Sequence, residues 1–150
     1  MKLIVLRGLP GCGKTYFSNS LDFSEKEIIS NDILRISNGN YEYNSLKNNS
    51  IYKENFKRLN DLMKNKCKLI VIDNCNIGFN NLKIYKDYSE KFDYEYYQVY
   101  FEKPKKENLY KNYQSTDKNI KYSSYLNLWK KYYKHNLDIN FLDFNLDFLK

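Results

Sequence analysis

Residues 8 to 15 read Gly-Leu-Pro-Gly-Cys-Gly-Lys-Thr, a G-x-x-x-x-G-K-[ST] spacing whose residue types suit a polyphosphate. Glycines at positions 8, 11 and 13 permit positive φ and let the backbone approach anionic oxygens with no Cβ between. Successive amide N–H groups would then form an anion nest, completed by the N-terminus of a following helix. Lys14 has the reach to neutralise β- and γ-phosphates, and Thr15 offers a hydroxyl to Mg²⁺. The expected nucleotide contacts are Gly8, Leu9, Pro10, Gly11, Cys12, Gly13, Lys14, Thr15 and Tyr16.

Such a loop names a ligand and not a reaction. In open parallel sheets the ligand lies at the carboxyl ends of the strands, and two acids are expected there. Asp73 ends the apolar run Lys68-Leu-Ile-Val-Ile72, as a Walker B aspartate does, and could hold Mg²⁺ directly or through water. Asp32 follows Thr15 by 17 positions, room for one helix and one strand back to the same edge. A carboxylate there could take the proton of an attacking hydroxyl. The plainer readings are an N-cap for Asp32 and a strand-ending turn residue for Asp73.

The elements that must position these groups follow from the hydrophobic pattern. Lys2-Leu-Ile-Val-Leu-Arg7 predicts a first strand, and a helix is expected from Gly13 to about Leu21. Lys26 to Ser30 predicts a second strand, with Asn31-Asp32 as helix-capping chemistry ahead of Ile33-Leu-Arg-Ile36. The Asn- and Tyr-rich stretch 37–50 reads as an exposed loop. From Ile51 to about Lys64, Tyr52, Phe56, Leu59 and Met63 step by 4, 3 and 4, one face of an amphipathic helix. The run 68–73 is apolar enough to be buried on both faces, as a central parallel strand is. A helix over 79–91, a strand over 94–101 and a helix begun by Pro104 near Lys105 follow. Residues 113–120 are polar. The segment from 120 or 121 to His135 is helical in pattern, with Tyr122, Leu126, Trp129 and Tyr133 on one face against the core; 137–148 alternates like a closing strand. Strands separated by helices, with no repeat or linker, predict one α/β domain over 1–150 with a mainly parallel sheet flanked by helices.

The chain carries a net charge of +7, which suits an anionic partner such as nucleic acid. Its Lys, Asn, Ile and Tyr content, with 16 tyrosines, also matches codon bias in an AT-rich genome, so charge is weak support. No apolar run approaches a membrane span, and the N-terminus enters strand 1 at once. Cys12, Cys67 and Cys75 are odd in number, with no C-x-x-C. They read as free thiols in a reducing, cytoplasmic setting, not as a disulfide frame or a zinc site.

Three segments together, Arg7 to Thr15, Ile29 to Arg35 and Val71 to Asn76, resemble the P-loop polynucleotide 5′-hydroxyl kinases and related small P-loop kinases. The resemblance runs from Met1 to about Asn80. It implies a P-loop kinase fold with a helical lid near 105–121, and transfer of the γ-phosphoryl of ATP, with Mg²⁺, to a 5′-OH end of RNA or DNA. It also implies that Asp32 is the general base, with Lys14 the other catalytic group, and that Arg35 binds the acceptor phosphate. Thr15 and Asp73 would be the metal residues, and Asp73 through Asn76 is similar to the family's Asp-x-x-Asn motif. The chain departs from the family in its lid: residues 105–121 hold no arginine, where family members place arginines on the transition-state charge. Lys111 and Lys118 are the substitutes available, as point charges without the planar fork. The second acid often found beside the base is absent, since Ile33 follows Asp32.

Two other readings stay open. A kinase acting on a metabolite, nucleotide-sugar or protein hydroxyl would need the same three motifs. A non-catalytic nucleotide-binding module would account for the arginine-free lid. A GTPase is disfavoured, because no Asn-Lys-x-Asp motif is present and no glycine lies three residues after Asp73.

Overall fold

The computed structural model describes residues 1–37, 39–101, 104–116 and 120–134. In chain order the elements are β1 (Lys2–Arg7), α1 (Lys14–Ser20), β2 (Lys26–Ile29), β3 (Ile36–Ser37), β4 (Asn40–Tyr41), α2 (Asn48–Lys64), β5 (Leu69–Ile72), α3 (Phe79–Lys91), β6 (Glu95–Tyr100), α4 (Leu109–Gln114) and α5 (Tyr122–Lys134). Four strands form a sheet in the order β2-β5-β1-β6, and every pairing in it is parallel. The α/β class and the parallel sheet expected from the sequence are therefore observed.

The alternation of a strand's side chains explains how β1 and β5 bury both faces. Leu3, Val5, Ile70 and Ile72 pack against Leu59 and Met63 of α2 and Leu82 and Tyr85 of α3. Their neighbours Ile4, Leu6, Leu69 and Val71 turn to the other side, where Phe17 of α1, Leu21 and Phe23 cover them. A third cluster joins Leu9 of the loop after β1 to Leu109 of α4 and Tyr125 and Tyr132 of α5. The Gly8–Thr15 loop is thus clamped from the sheet side and from the C-terminal helices.

Several local expectations need correction. The buried stripe of α2 is Ile51, Asn55, Leu59 and Met63, while Tyr52 lies exposed. Leu59 and Met63 keep their expected places and Phe56 packs against the same cluster; only at the start of the helix are Ile51 and a polar residue, Asn55, buried in place of Tyr52. On α5 the fully buried rings are Tyr125 and Tyr132, with Tyr122, Leu126 and Trp129 packed beside them. Tyr122, Leu126 and Trp129 thus pack against the core as expected, Tyr125 and Tyr132 form the buried centre of that packing, and the Tyr133 side chain lies outside the described residues. Residues 37–50 are mostly exposed yet not formless: β3 and β4 pair antiparallel, and Asn44 accepts from the Leu46 amide at 2.9 Å ahead of a short 3-10 turn. Asp32 caps no α-helix. Only a 3-10 turn, Ile33–Arg35, follows it, and its side chain makes no capping hydrogen bond. His135 and the 137–148 segment lie outside the described residues.

Gly8 also has a different reason from the one expected. Positive φ occurs at Gly11 (77°) and Gly13 (92°) and not at Gly8. At Gly8 the constraint is space, since a Cβ would stand 2.6 Å from Cys12 Sγ and 2.8 Å from Phe101 Cβ. Phe101 is held there by its amide, which donates to the Arg7 carbonyl at 2.8 Å. Gly8→Ala should therefore destabilise by about 1–3 kcal/mol through overpacking. Gly78→Ala, where a Cβ would meet nothing within 4 Å, should lose less, as thermal denaturation of the two variants would show.

Candidate functional site

The loop after β1 is set by backbone hydrogen bonds within itself and to the turn after β5. The Cys12 amide donates to Leu9 at 3.4 Å, the Gly8 amide to Cys75 at 3.1 Å, and the Phe17 amide to Gly13 at 2.9 Å. Gly13 precedes α1 in the left-handed region with no side-chain cap, which leaves backbone amides to face whatever the loop holds. Gly11 meets the end of α4: a Cβ there would stand 3.0 Å from Asn112 O, Ser115 Oγ and Thr116 Cγ2. Lys14 is buried, and its Nζ donates to Leu9 O at 2.7 Å and to Cys12 Sγ at 3.5 Å. Burial pushes the Cys12 thiol up, against the opposing pull of Lys14, so it stays protonated near neutral pH.

Asp73 sits at the end of β5, buried, with its amide donating to the Ile29 carbonyl at 2.8 Å. Thr15 Oγ1 donates to Asp73 Oδ2 at 2.7 Å, and Ser18 Oγ reaches the same oxygen at 3.5 Å. The two residues expected to share Mg²⁺ are thus adjacent although 58 positions apart. A hydroxyl and a carboxylate are hard oxygen donors of the kind Mg²⁺ takes when phosphates and water complete its shell, and the pair fits that ion. Among the described residues no group of three acidic, His or Cys side chains could form an all-protein metal cage. Ser18 was missed by sequence reasoning. Its signal was present, one helical turn after Thr15 on the same face of α1.

Asp32 Oδ1 accepts from Arg35 Nη1 at 3.2 Å, and Arg35 Nη2 donates to Asn48 Oδ1 at 2.8 Å. The guanidinium also lies 5.2 Å from the centre of the Tyr43 ring, and Arg35 Nε is buried with no hydrogen-bond partner. Beneath this pair lies an asparagine network that sequence reasoning did not find. Asn55 Nδ2 donates to Asn31 Oδ1 at 2.7 Å, and the Asn31 amide donates to Asn74 Oδ1 at 2.8 Å. These bonds tie α2, the β2 end and the β5 end together directly under Asp32.

Two cavities open at these strand ends. One, of about 240 Å³, is bounded by Gly11, Gly13, Lys14, Thr15, Tyr16, Asp32, Asp73, Ser115 and Thr116. The other, about 640 Å³, runs between the Tyr41–Tyr43 segment and α5, and takes in Pro10, Arg35, Asn74, Asn76 and Lys131. Among the described residues, Asp32 is the one that borders both. Of the expected lid lysines, Lys111 is exposed and borders neither cavity, and Lys118 lies outside the described residues. Among the described residues of the 105–121 stretch, Ser115 and Thr116 reach the smaller cavity.

Asn76 has a structural part that the Asp-x-x-Asn motif does not convey. It adopts φ 45°, and its buried Nδ2 donates to Leu6 O at 2.8 Å. Arg7, 1% exposed, donates through Nε to Asn76 O and through Nη2 to Ile77 O, both at 3.2 Å. Its guanidinium lies near the Phe79 and Tyr132 rings. Together they stitch the β1 end to the turn after β5.

The comparisons with known proteins come to bear on this geometry. No protein-family model matches the chain. A curated human relative, NEDD4-binding protein 2, is 32% identical over 104 residues, 68% of this chain. The match spans 6% of that relative's length. Among solved structures, a chain of "Structure of the Pnkp1/Rnl/Hen1 RNA repair complex" superposes with a TM-score of 0.71 at 20% identity, covering 93% of this chain and 46% of its own. A chain of "Structure of Pnkp1/Rnl/Hen1 complex" does so at 0.55 and 23% identity, covering 69% and 36%. The fold is shared with these chains.

Asn55→Leu would leave Asn31 Oδ1 without its donor in the interior. A loss of about 1–3 kcal/mol is expected for a buried acceptor so stranded, measurable as a lower urea midpoint. A midpoint equal to that of the unchanged protein would mean the network adds nothing.

Proposed function

We propose that this chain is an ATP-dependent kinase that transfers the γ-phosphoryl group to the 5′-hydroxyl of an RNA or DNA end. The observation that carries the reading is the position of Asp32, which borders both the cavity at the Gly8–Thr15 loop and the larger cleft. A triphosphate on one side and an acceptor on the other would meet at its carboxylate. The likeness to chains of RNA repair complexes and the net charge of +7 support a nucleic-acid acceptor over a metabolite.

In this reading the loop amides hold the phosphates, and Lys14 exchanges the Leu9 carbonyl for phosphate oxygens. Thr15 and Asp73 hold Mg²⁺, which when bound neutralises phosphate charge. Asp32 accepts the proton of the attacking hydroxyl. Arg35, already paired with Asp32 and carrying an unpartnered Nε–H, grips the acceptor phosphate. The protein's work is then mostly positioning and charge neutralisation. The runner-up is a nucleotide-binding module without transfer, favoured by the absence of arginine from residues 105–121.

Label transfer from γ-labelled ATP to matched 5′-OH RNA and DNA oligonucleotides tests the proposal. Asp32→Asn should lose transfer by about 10²- to 10⁴-fold, the usual worth of a general base, while still binding ATP. Lys14→Ala should lose both transfer and tight ATP binding. Undiminished transfer by Asp32→Asn would refute the base assignment, and ATP binding with no transfer to any oligonucleotide would favour the non-catalytic module.

A further inference from the structure

Among the described residues the buried tyrosines serve the core: Tyr85, Tyr94, Tyr125 and Tyr132 are each 6% exposed or less. Three others line the larger cleft, two from one segment and one from α2. Tyr41 belongs to β4, Tyr43 to the segment after it, and Tyr52 to the solvent side of α2. Core packing does not account for Tyr43 and Tyr52, which are 57% and 39% exposed, and Tyr41 is half-buried. Across the cleft stands Lys131 of α5, and Asn81 adds amide donors and acceptors. Arg35 already lies against the Tyr43 ring, so a bound phosphate and an aromatic face would be neighbours.

Resting on the kinase reading above, we propose that Tyr41, Tyr43 and Tyr52 form a stacking wall for the first bases of an unpaired acceptor strand. Aromatic faces accept any base by stacking, while cationic groups follow the backbone. That combination suits an unpaired nucleic-acid end. A small metabolite has no use for three rings, and a paired end keeps its bases stacked on their own neighbours. Asp32 borders both this cleft and the cavity holding Lys14 and Thr15, so a strand in the cleft would present its terminal hydroxyl there. The preference is therefore for single strands and 5′ overhangs over recessed 5′ ends.

Tyr52 is the position to vary, because Tyr43 also receives the Asn48 amide at 3.1 Å and so supports Arg35 indirectly. Tyr52→Ala lies on an exposed helical face and should fold normally. It should raise KM for a 5′-OH single strand about tenfold, as loss of one stacked base would, with kcat little changed, and Tyr52→Phe should restore the KM. An oligonucleotide with 2-aminopurine at its 5′ end, added to Asp32→Asn protein, should be quenched on binding, and less so when Tyr52→Ala is added. Transfer that occurs with an unchanged KM in Tyr52→Ala, or equal kcat/KM on recessed and overhanging ends, would overturn the stacking wall and leave the kinase standing. Quenching with no transfer by the unaltered protein would support the wall and refute the kinase. Neither quenching nor transfer would overturn both.

Discussion

The hydrogen bond from Thr15 to Asp73, 2.7 Å long, joins the first helical turn after β1 to the end of β5. The candidate site depends on that junction, because it fixes where the loop's amides, the loop's lysine and the acid at the end of β5 stand relative to one another. It forms because β1 and β5 are adjacent and in parallel register, Lys2 beside Leu69 and Val5 beside Ile72. Parallel neighbours bring their carboxyl ends to one edge. The same edge is secured by Asn76 on the Leu6 carbonyl and by the Gly8 amide on Cys75. A buried apolar sheet supplies the stability, and these few polar bonds supply the alignment.

The constraint extends to the second acid. β2 pairs with β5, so the turn after β2 emerges next to Asp73, and Asp32 comes to lie between two cavities. Burial of Asn31 and Asn55 in a mutual hydrogen bond holds that turn to α2. A polar pair in the interior adds little net stability but penalises every arrangement that leaves one partner alone. That is a reason for a polar residue to replace an apolar one in the α2 stripe.

The fold was legible because its signals are local. A β-branched apolar run at 2–7 and another at 68–73, each followed by helical periodicity, have few other meanings. That Lys14, Thr15, Asp32 and Asp73 come to one sheet edge was legible because parallel strands bring their carboxyl ends together, whereas Arg35 was singled out only by the family resemblance. What stayed hidden depends on partners distant in sequence. The Asn31–Asn55–Asn74 network links residues 24 and 43 positions apart, and nothing in a window around any one of them announces it. Gly8 was assigned to backbone freedom when its neighbour Phe101 was the cause. At the start of α2, Ile51 and Asn55 are buried where Tyr52 was expected, and on α5 Tyr125 and Tyr132 join the expected stripe, because Tyr and Asn can face either the core or the solvent and tertiary packing decides.

The central claim is that one carboxylate stands where two ligands meet. Amide chemical-shift mapping of the labelled protein tests it most directly, with a non-hydrolysable ATP analogue and Mg²⁺ in one titration and a 5′-OH single-stranded oligonucleotide in the other. The account predicts that the nucleotide shifts Gly13 and Lys14, that the oligonucleotide shifts Arg35 and Tyr43, and that the Asp32 amide responds to both. An oligonucleotide that leaves Arg35, Tyr43 and Asp32 unmoved, or one that merely competes with the nucleotide for the Gly8–Thr15 loop, would contradict it.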